Sequence, residues 1–256
     1  MSYDSLVPTG SLKLLIGPNF LKPESDISIA PRLLKYTVAN SAGAFARIYR
    51  PKRTLALSNL DRAHRNFPQI LALAQETGFS PVVRSPGGRA VAYHEESVIF
   101  DLVCSEKNPR ESVSKRFSAI GEIFVQVLGE LGIDSKVGQI PMEYCPGKYS
   151  VTTDSAKLVG TAQRIVRGGW LLSSSIIVRN CLPIRELLSR VYGLMEFQMN
   201  PATIEALNET DSHIKTERFI DEFIAKLRGQ FEIEDCELTA SGSFKVREVV
   251  SDQWVR

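Results

Sequence analysis

The chain has 256 residues, 43% of them hydrophobic, and a formal charge of +2. That is enough apolar material for one large core, alone or with a small appendage. A charge this close to neutral excludes a global field aimed at nucleic acid or a membrane surface, and no apolar run approaches the length of a transmembrane span.

Residues 1–11 are polar and turn-rich, which predicts a loose start. The apolar run at 12–17 is too brief for a secretory signal, so the chain reads as cytoplasmic. Residues 12–16 predict a first strand. Ile29, Leu33, Leu34 and Val38 have helical spacing and predict a helix over 27–40. Two strands, 46–49 and 55–58, flank the basic turn Arg50-Pro51-Lys52-Arg53. A short helix around Ile70, Leu71, Leu73 and Ala74 closes near Gly78. Further strands are expected at 81–84, 90–93 and 98–104, the first two separated by the turn Ser85-Pro86-Gly87-Gly88.

The strongest helical pattern is Val113, Phe117, Ile120, Phe124, Leu128 and Leu131, stopped by Gly132. Strands are expected from 136, at 149–153 and at 157–166, the last two flanking the turn Asp154-Ser155-Ala156. A final strand pair covers 170–178. Asn200 is a candidate N-cap with Pro201 as first helical residue. Ile214, Phe219, Ile220, Phe223, Ile224 and Leu227 predict a helix ending at Gly229. Residues 231–256 mix charge with β-formers and predict a tail or edge strand. Strands and helices without a regular βαβ alternation favour an α+β fold, a mixed and largely antiparallel sheet flanked by helices.

Four cysteines (104, 145, 181, 236) and three histidines (64, 94, 213) form no ligand cluster, so no metal site is expected. Three segments carry chemistry. In Arg84-Ser85-Pro86-Gly87-Gly88-Arg89, paired glycines permit positive φ and close approach of a ligand to the backbone, and Arg84 and Arg89 suit a carbonyl or phosphate oxygen. On spacing alone an ordinary glycine turn with solvated arginines is the favoured reading. In Glu143-Tyr144-Cys145-Pro146-Gly147-Lys148, Cys145 precedes a turn dipeptide, which presents it on a loop with Lys148 nearby. A cysteine buried beneath a turn is the alternative. In Lys157-Leu158-Val159-Gly160-Thr161-Ala162-Gln163-Arg164, Lys157 begins a strand whose small residues leave room on one face. A hairpin with a surface lysine is the alternative. His94, beside Glu95 and Glu96, suits a general base or a structural histidine. Ser173, Ser174 and Ser175 lack the glycine elbow of a serine hydrolase.

In this order the three segments resemble the lipoate–protein ligase A and octanoyltransferase family, cofactor transferases related to biotin ligase. The likeness rests on the arginine-led glycine turn ending in Tyr93-His94 and on the lysine strand ending in Ala162-Gln163-Arg164. Tyr-Cys-Pro-Gly-Lys-Tyr at 144–149 is similar to the cysteine-dependent octanoyltransferases that take octanoate from the glycine cleavage H protein. It replaces the Arg-Asn-Asp type of sequence found in ATP-dependent ligases. The glycine turn departs from the commoner triple glycine.

The resemblance implies a biotin/lipoate protein ligase catalytic domain over 1–230, then a segment at 231–256 without a full accessory domain. It implies that Cys145 is a nucleophile forming an acyl thioester and that Lys157 stabilises the oxyanion. Arg84, Gly87, Gly88, Arg89, His94, Gly160, Thr161 and Ala162 would bind the acyl group. The transferred group would be octanoate or lipoate, with no cofactor. The partners would be lipoyl-domain carriers: the glycine cleavage H protein, dihydrolipoyl acyltransferase subunits, or acyl carrier protein as donor. The enzyme would act as a monomer. The alternative is an ATP- and Mg-dependent lipoate ligase working through an acyl-adenylate. A third reading is a non-catalytic carrier-binding protein.

Overall fold

A strand buried on both faces organises the molecule. Residues 97–104 are buried without interruption, so their sheet is covered on either side. The computed structural model describes residues 3–8, 10–17, 22–238 and 244–246. The first half runs β1 (Ser11–Ile16), α1 (Pro23–Asn40), β2 (Ala44–Tyr49), β3 (Thr54–Leu57), α2 (Asn59–Arg62), α3 (Phe67–Glu76), β4 (Ser80–Val83), β5 (Val91–Tyr93), β6 (Ser97–Ser105) and α4 (Val113–Glu130). The second runs β7 (Lys136–Val137), β8 (Val151–Thr152), β9 (Lys157–Val166), β10 (Gly169–Ile177), α5 (Leu182–Leu194), a 3-10 turn at Pro201–Thr203, α6 (Leu207–Thr210), α7 (Thr216–Gln230), β11 (Glu232–Leu238) and β12 (Phe244–Val246).

Among the described residues, nine strands form one sheet in the order β12-β11-β1-β2-β6-β10-β9-β8-β7, and three form a small sheet, β4-β3-β5. In the large sheet β1 runs parallel to β2 and β11 and the other pairings are antiparallel. This is the mixed, largely antiparallel α+β architecture expected from the sequence.

Period-two alternation sorts the side chains between two layers. Val98, Phe100, Leu102 and Cys104 of β6 face α4 and α7, where Phe100, Phe124 and Phe223 pack ring against ring. Val103, with Leu15, Phe45 and Leu171, faces α1. Ile99, Tyr49 and Ile177 face the small sheet and helices α3 and α5. The functional site opens on this second side, where the small sheet meets the large one.

Several elements differ from the sequence expectation. Residues 1–11 are not loose where they are described. Tyr3, Leu6 and Val7 are buried, and a turn returns the Leu6 and Val7 amides to the Tyr3 carbonyl. Polar turn formers hid three apolar side chains that join the core cluster containing Phe231, whose ring Tyr3 meets edge-on at 6.2 Å. Helix α5 has no counterpart among the predicted elements, although Ile184, Leu187, Leu188 and Val191 are buried at helical spacing. Asn200 does cap, accepting from the Ala202 amide at 3.1 Å, but the element it caps is one 3-10 turn and no longer helix. Helix α1 begins at Pro23, ahead of the predicted start. At the other end β11 lies between β1 and β12, while residues 239–243 and 247–256 of the predicted tail are outside those described. No helix among the described residues is long and apolar enough to cross a membrane.

Leu6→Ala should lower unfolding free energy by about 2–5 kcal/mol, the range for truncating a buried leucine. Urea denaturation measures it, and an effect near zero would mean that the N-terminal turn is not core.

Candidate active site

A cavity of about 330 Å³ opens between the glycine turn, the 143–150 loop and strands β9 and β10. Its walls include Arg84, Gly87, Gly88, Cys145, Lys157, Gly160, Thr161 and Ala162. Two predicted residues stand apart. Arg89 reaches the site through its backbone only, its guanidinium lying 4.1 Å from the Phe197 ring centroid. His94 is not at the cavity. Its Nδ1 accepts from the Glu96 amide at 3.0 Å and its Nε2 lies 2.7 Å from the Asn180 carbonyl. Both ring nitrogens are engaged in holding loops, so the structural reading of His94 replaces the substrate-binding one.

Cys145 stands on the loop between β7 and β8, directly before Pro146-Gly147, and its φ of 42° is left-handed. That conformation is unfavourable for a side chain with a Cβ and persists only where surroundings impose it. Three hydrogen bonds do so. The Cys145 amide donates to Tyr192 Oη at 2.6 Å, its carbonyl accepts from Lys157 Nζ at 2.8 Å, and its Sγ accepts from the Arg89 amide at 3.1 Å. The glycine turn must approach closely for the last contact. Gly88 has φ 100°, and a Cβ there would lie 2.9 Å from Cys145 Sγ and 3.0 Å from Arg84 Nη2. Glycine is required at 88 by both space and conformation.

Lys157 is buried at the start of β9. Its ammonium donates to Glu143 Oε1 (3.3 Å), the Tyr144 carbonyl (3.1 Å) and the Cys145 carbonyl (2.8 Å), and lies 4.8 Å from the Tyr144 ring centroid. All three N–H donors are therefore engaged by the loop. The lysine is neither on the surface, as the hairpin alternative had it, nor held free for a ligand. Glu143 is the hub that sequence reading passed over. Its buried carboxylate also accepts from the amides of Ile140 and Gly147 and from Ser150 Oγ. Its signal was a lone acid in a loop flanked by apolar residues.

The other cysteines stand away from the cavity. Burial pushes the Cys104 and Cys181 thiols up to about 12, and Cys236 is buried. Arg84 is buried beside the sulfur, donates to the Arg89 carbonyl at 3.1 Å, and has an Nε with no partner among the described residues. Ser173, Ser174 and Ser175 line the cavity; three serines inside an otherwise buried strand were the available signal. Thr161 and Ser174 hydroxyls meet at 2.9 Å. Ser173 pairs across the strands with Asp101 and hydrogen-bonds its carboxyl. Burial holds the Asp101 pKa at about 6, against an ordinary 3.8. The basic turn at 50–53 is balanced by acids: Arg50 reaches Glu96 and Glu217, and Lys52 lies 3.8 Å from Glu95. No group of three metal-ligating side chains occurs among the described residues.

A buried carboxylate and ammonium cross-brace the loop that carries a half-buried sulfur at the wall of a cavity lined with small residues. Such an arrangement can hold a slender acyl chain and present its carbonyl to the sulfur. Comparisons with known proteins place the chain in one family and one fold. Residues 26–228 match the family model described as the lipoyl protein ligase A/B catalytic domain. The octanoyl-[GcvH]:protein N-octanoyltransferase of Geobacillus kaustophilus is 26% identical over 179 residues, covering 70% of this chain and 63% of that protein. The protein of the same name from an Exiguobacterium species is 28% identical over 153 residues, covering 59% and 54%. The matches thus span somewhat over half the length of these relatives. Among solved structures, lipoate-protein ligase A bound with ATP superposes with TM-score 0.68 at 16% identity, covering 91% of this chain and 90% of that one. A bi-partite lipoate protein ligase from Thermoplasma acidophilum superposes with TM-score 0.64 at 15% identity, covering 91% and 89%. These two establish a shared fold.

The electrostatics of the site predict two outcomes. Glu143→Gln leaves the Lys157 ammonium buried without its counter-charge, and removing one partner of such a pair costs about 3–5 kcal/mol. Urea denaturation should show that loss, and hydrogen exchange should show faster exchange at the Gly147 amide. Asp101 binds its proton more tightly folded than unfolded. Its contribution to stability is therefore full below about pH 3.8 and lost as pH rises through about 6. Asp101→Asn should remove that slope, so the stability difference between variant and wild type should change across this window. A constant difference would contradict the assignment.

Proposed function

The chain belongs to the lipoyl protein ligase A/B catalytic-domain family, and from that premise we propose that it transfers an octanoyl or lipoyl group to a lysine of a lipoyl-domain carrier through a thioester on Cys145. The observation that carries this reading is the Cys145 sulfur, half-buried at the cavity wall and met by the Arg89 amide at 3.1 Å. We take residues 1–230 as the catalytic domain, with β11 and β12 extending its sheet.

In the first step the Cys145 thiolate attacks the carbonyl of an acyl-lysine on the donor carrier. The C–N bond breaks, the donor lysine leaves as an amine after taking up a proton, and the acyl group stays on sulfur. In the second step the ε-amine of the acceptor lysine attacks the thioester, loses a proton, and expels the thiolate. A thioester suits both halves, because thiolate is a strong nucleophile and its acyl product remains reactive to amines. The amide of Arg89 meets the sulfur, where negative charge is present before attack and after release. Lys157 has two parts. It holds the Cys145 carbonyl now, and by exchanging one loop acceptor for the acyl oxygen it supplies charge stabilisation where the oxyanion develops.

The names of the relatives specify octanoyl-[GcvH] as donor, and we carry that donor to this chain. Small residues at Gly160 and Ala162 leave room for the aliphatic chain, and burial of each methylene stabilises the complex by about 0.8 kcal/mol. Neither ATP nor Mg has a part in these steps.

Intact-mass analysis after mixing the chain with octanoylated H protein, without nucleotide, should show the octanoyl adduct on wild type, Cys104→Ala and Cys181→Ala. Cys145→Ala should show none. An adduct on Cys145→Ala, or transfer that requires ATP and free octanoate, would refute the thioester reading.

A further inference from the structure

We propose that Tyr192 is a positioning residue for Cys145: its hydroxyl, carried on helix α5, holds the left-handed cysteine backbone in register with the glycine turn. The inference rests on the reading of Cys145 as nucleophile and names a residue remote in sequence that the reaction depends on.

The geometry is specific. Tyr192 Oη accepts from the Cys145 amide at 2.6 Å and donates to the Ala90 carbonyl at 3.1 Å. Ala90 is next in the chain after Arg89, whose amide meets Cys145 Sγ at 3.1 Å. One hydroxyl therefore ties together the two segments that must be aligned for that amide to point at the sulfur. A phenol serves because it both donates and accepts. Burial raises the Tyr192 pKa well above its ordinary value, so it keeps its proton and both functions through the working pH range.

The ring has little freedom to respond otherwise. Tyr192 is buried among Ile184, Leu188 and other residues of the core beneath the small sheet, and α5 packs directly on α3 and β5. The helix is thus a rigid mount for the hydroxyl. Cys145 supplies the complementary need, since a residue with a Cβ at φ 42° relaxes once its restraints go. Lys157 restrains the carbonyl side of the residue and Tyr192 the amide side. Tyr192 does not line the cavity, and its hydrogen bond to Cys145 is made to the backbone amide.

The test compares wild type and Tyr192→Phe by the pH profile of iodoacetamide alkylation at Cys145, read site by site by peptide mass spectrometry. Tyr192→Phe should shift the midpoint to higher pH and slow alkylation near neutrality, because the Arg89 amide no longer meets the sulfur. Misplacement on the ångström scale costs up to about a hundredfold in rate, so kcat for octanoyl transfer should fall roughly tenfold to a hundredfold, with KM little changed. Site-specific 3,5-difluorotyrosine at 192 keeps the ring and hydroxyl but weakens the acceptor, and should give an intermediate midpoint. It also decides the matter if the phenylalanine variant does not fold. A profile superimposable on wild type in the folded variants, with only the melting temperature lowered, would reduce Tyr192 to packing and overturn the proposal. Alkylation needs no acyl donor, so a wild-type chain that transfers nothing would overturn the proposed function while leaving this measurement decisive.

Discussion

An ammonium group taken out of water must be matched by a carboxylate and by oxygen acceptors, or its burial costs several kcal/mol. At Lys157 that requirement shapes the site. Glu143 supplies the charge, and the carbonyls of Tyr144 and Cys145 supply the remaining acceptors. The loop from 143 to 150 cannot move away without stranding the lysine. Glu143 extends the restraint by accepting from two amides and a serine of the same segment. Cys145 is consequently held in a backbone conformation it would leave if free, and its sulfur is aimed at the glycine turn. The buried pair contributes less as net stability than as a specification of geometry.

Small side chains make the cavity. Gly160, Ala162 and the serines of β10 leave space where larger side chains would fill the seam between the two sheets. Both faces of the sheet's central strands are otherwise covered, one by α4 and α7, the other by α1, the small sheet, α3 and α5. Polar groups penetrate from the cavity into this covered face. Ser173, Asp101 and Arg47 lie opposite one another across β10, β6 and β2, and Arg47 closes the row with Asp26 of α1 at 2.6 Å. A row of polar residues crossing a core is tolerated because each finds a partner.

Much of this was legible along the chain. Periodicity located α4 and α7, the runs of β-formers located β6, β9 and β10, and Gly88, Cys145 and Lys157 stood out by the residues beside them. The illegible parts share a cause. Helix α5 is not among them, since Ile184, Leu187, Leu188 and Val191 keep helical spacing behind a proline in the first turn. The burial of Tyr3, Leu6 and Val7 depends on a core cluster that includes Phe231, which is more than two hundred positions away. His94 looked available because its partner, the Asn180 carbonyl, is supplied by a distant loop. The basic turn looked free because Glu217 is supplied by α7.

What the sequence by itself determined is local. It includes residue types that can attack, donate or bend, the spacing that makes helices and strands, and the small residues that cannot fill a cavity. Tertiary structure decided which of those residues meet. It brought Glu143 under Lys157, Tyr192 to the Cys145 amide, and the Arg89 amide to the sulfur, and it took His94 away. Hydrogen bonds and charge pairs act over a few ångströms of space, whatever the separation along the chain, so partners of this kind become visible only once the sheet and its covering helices have closed around them.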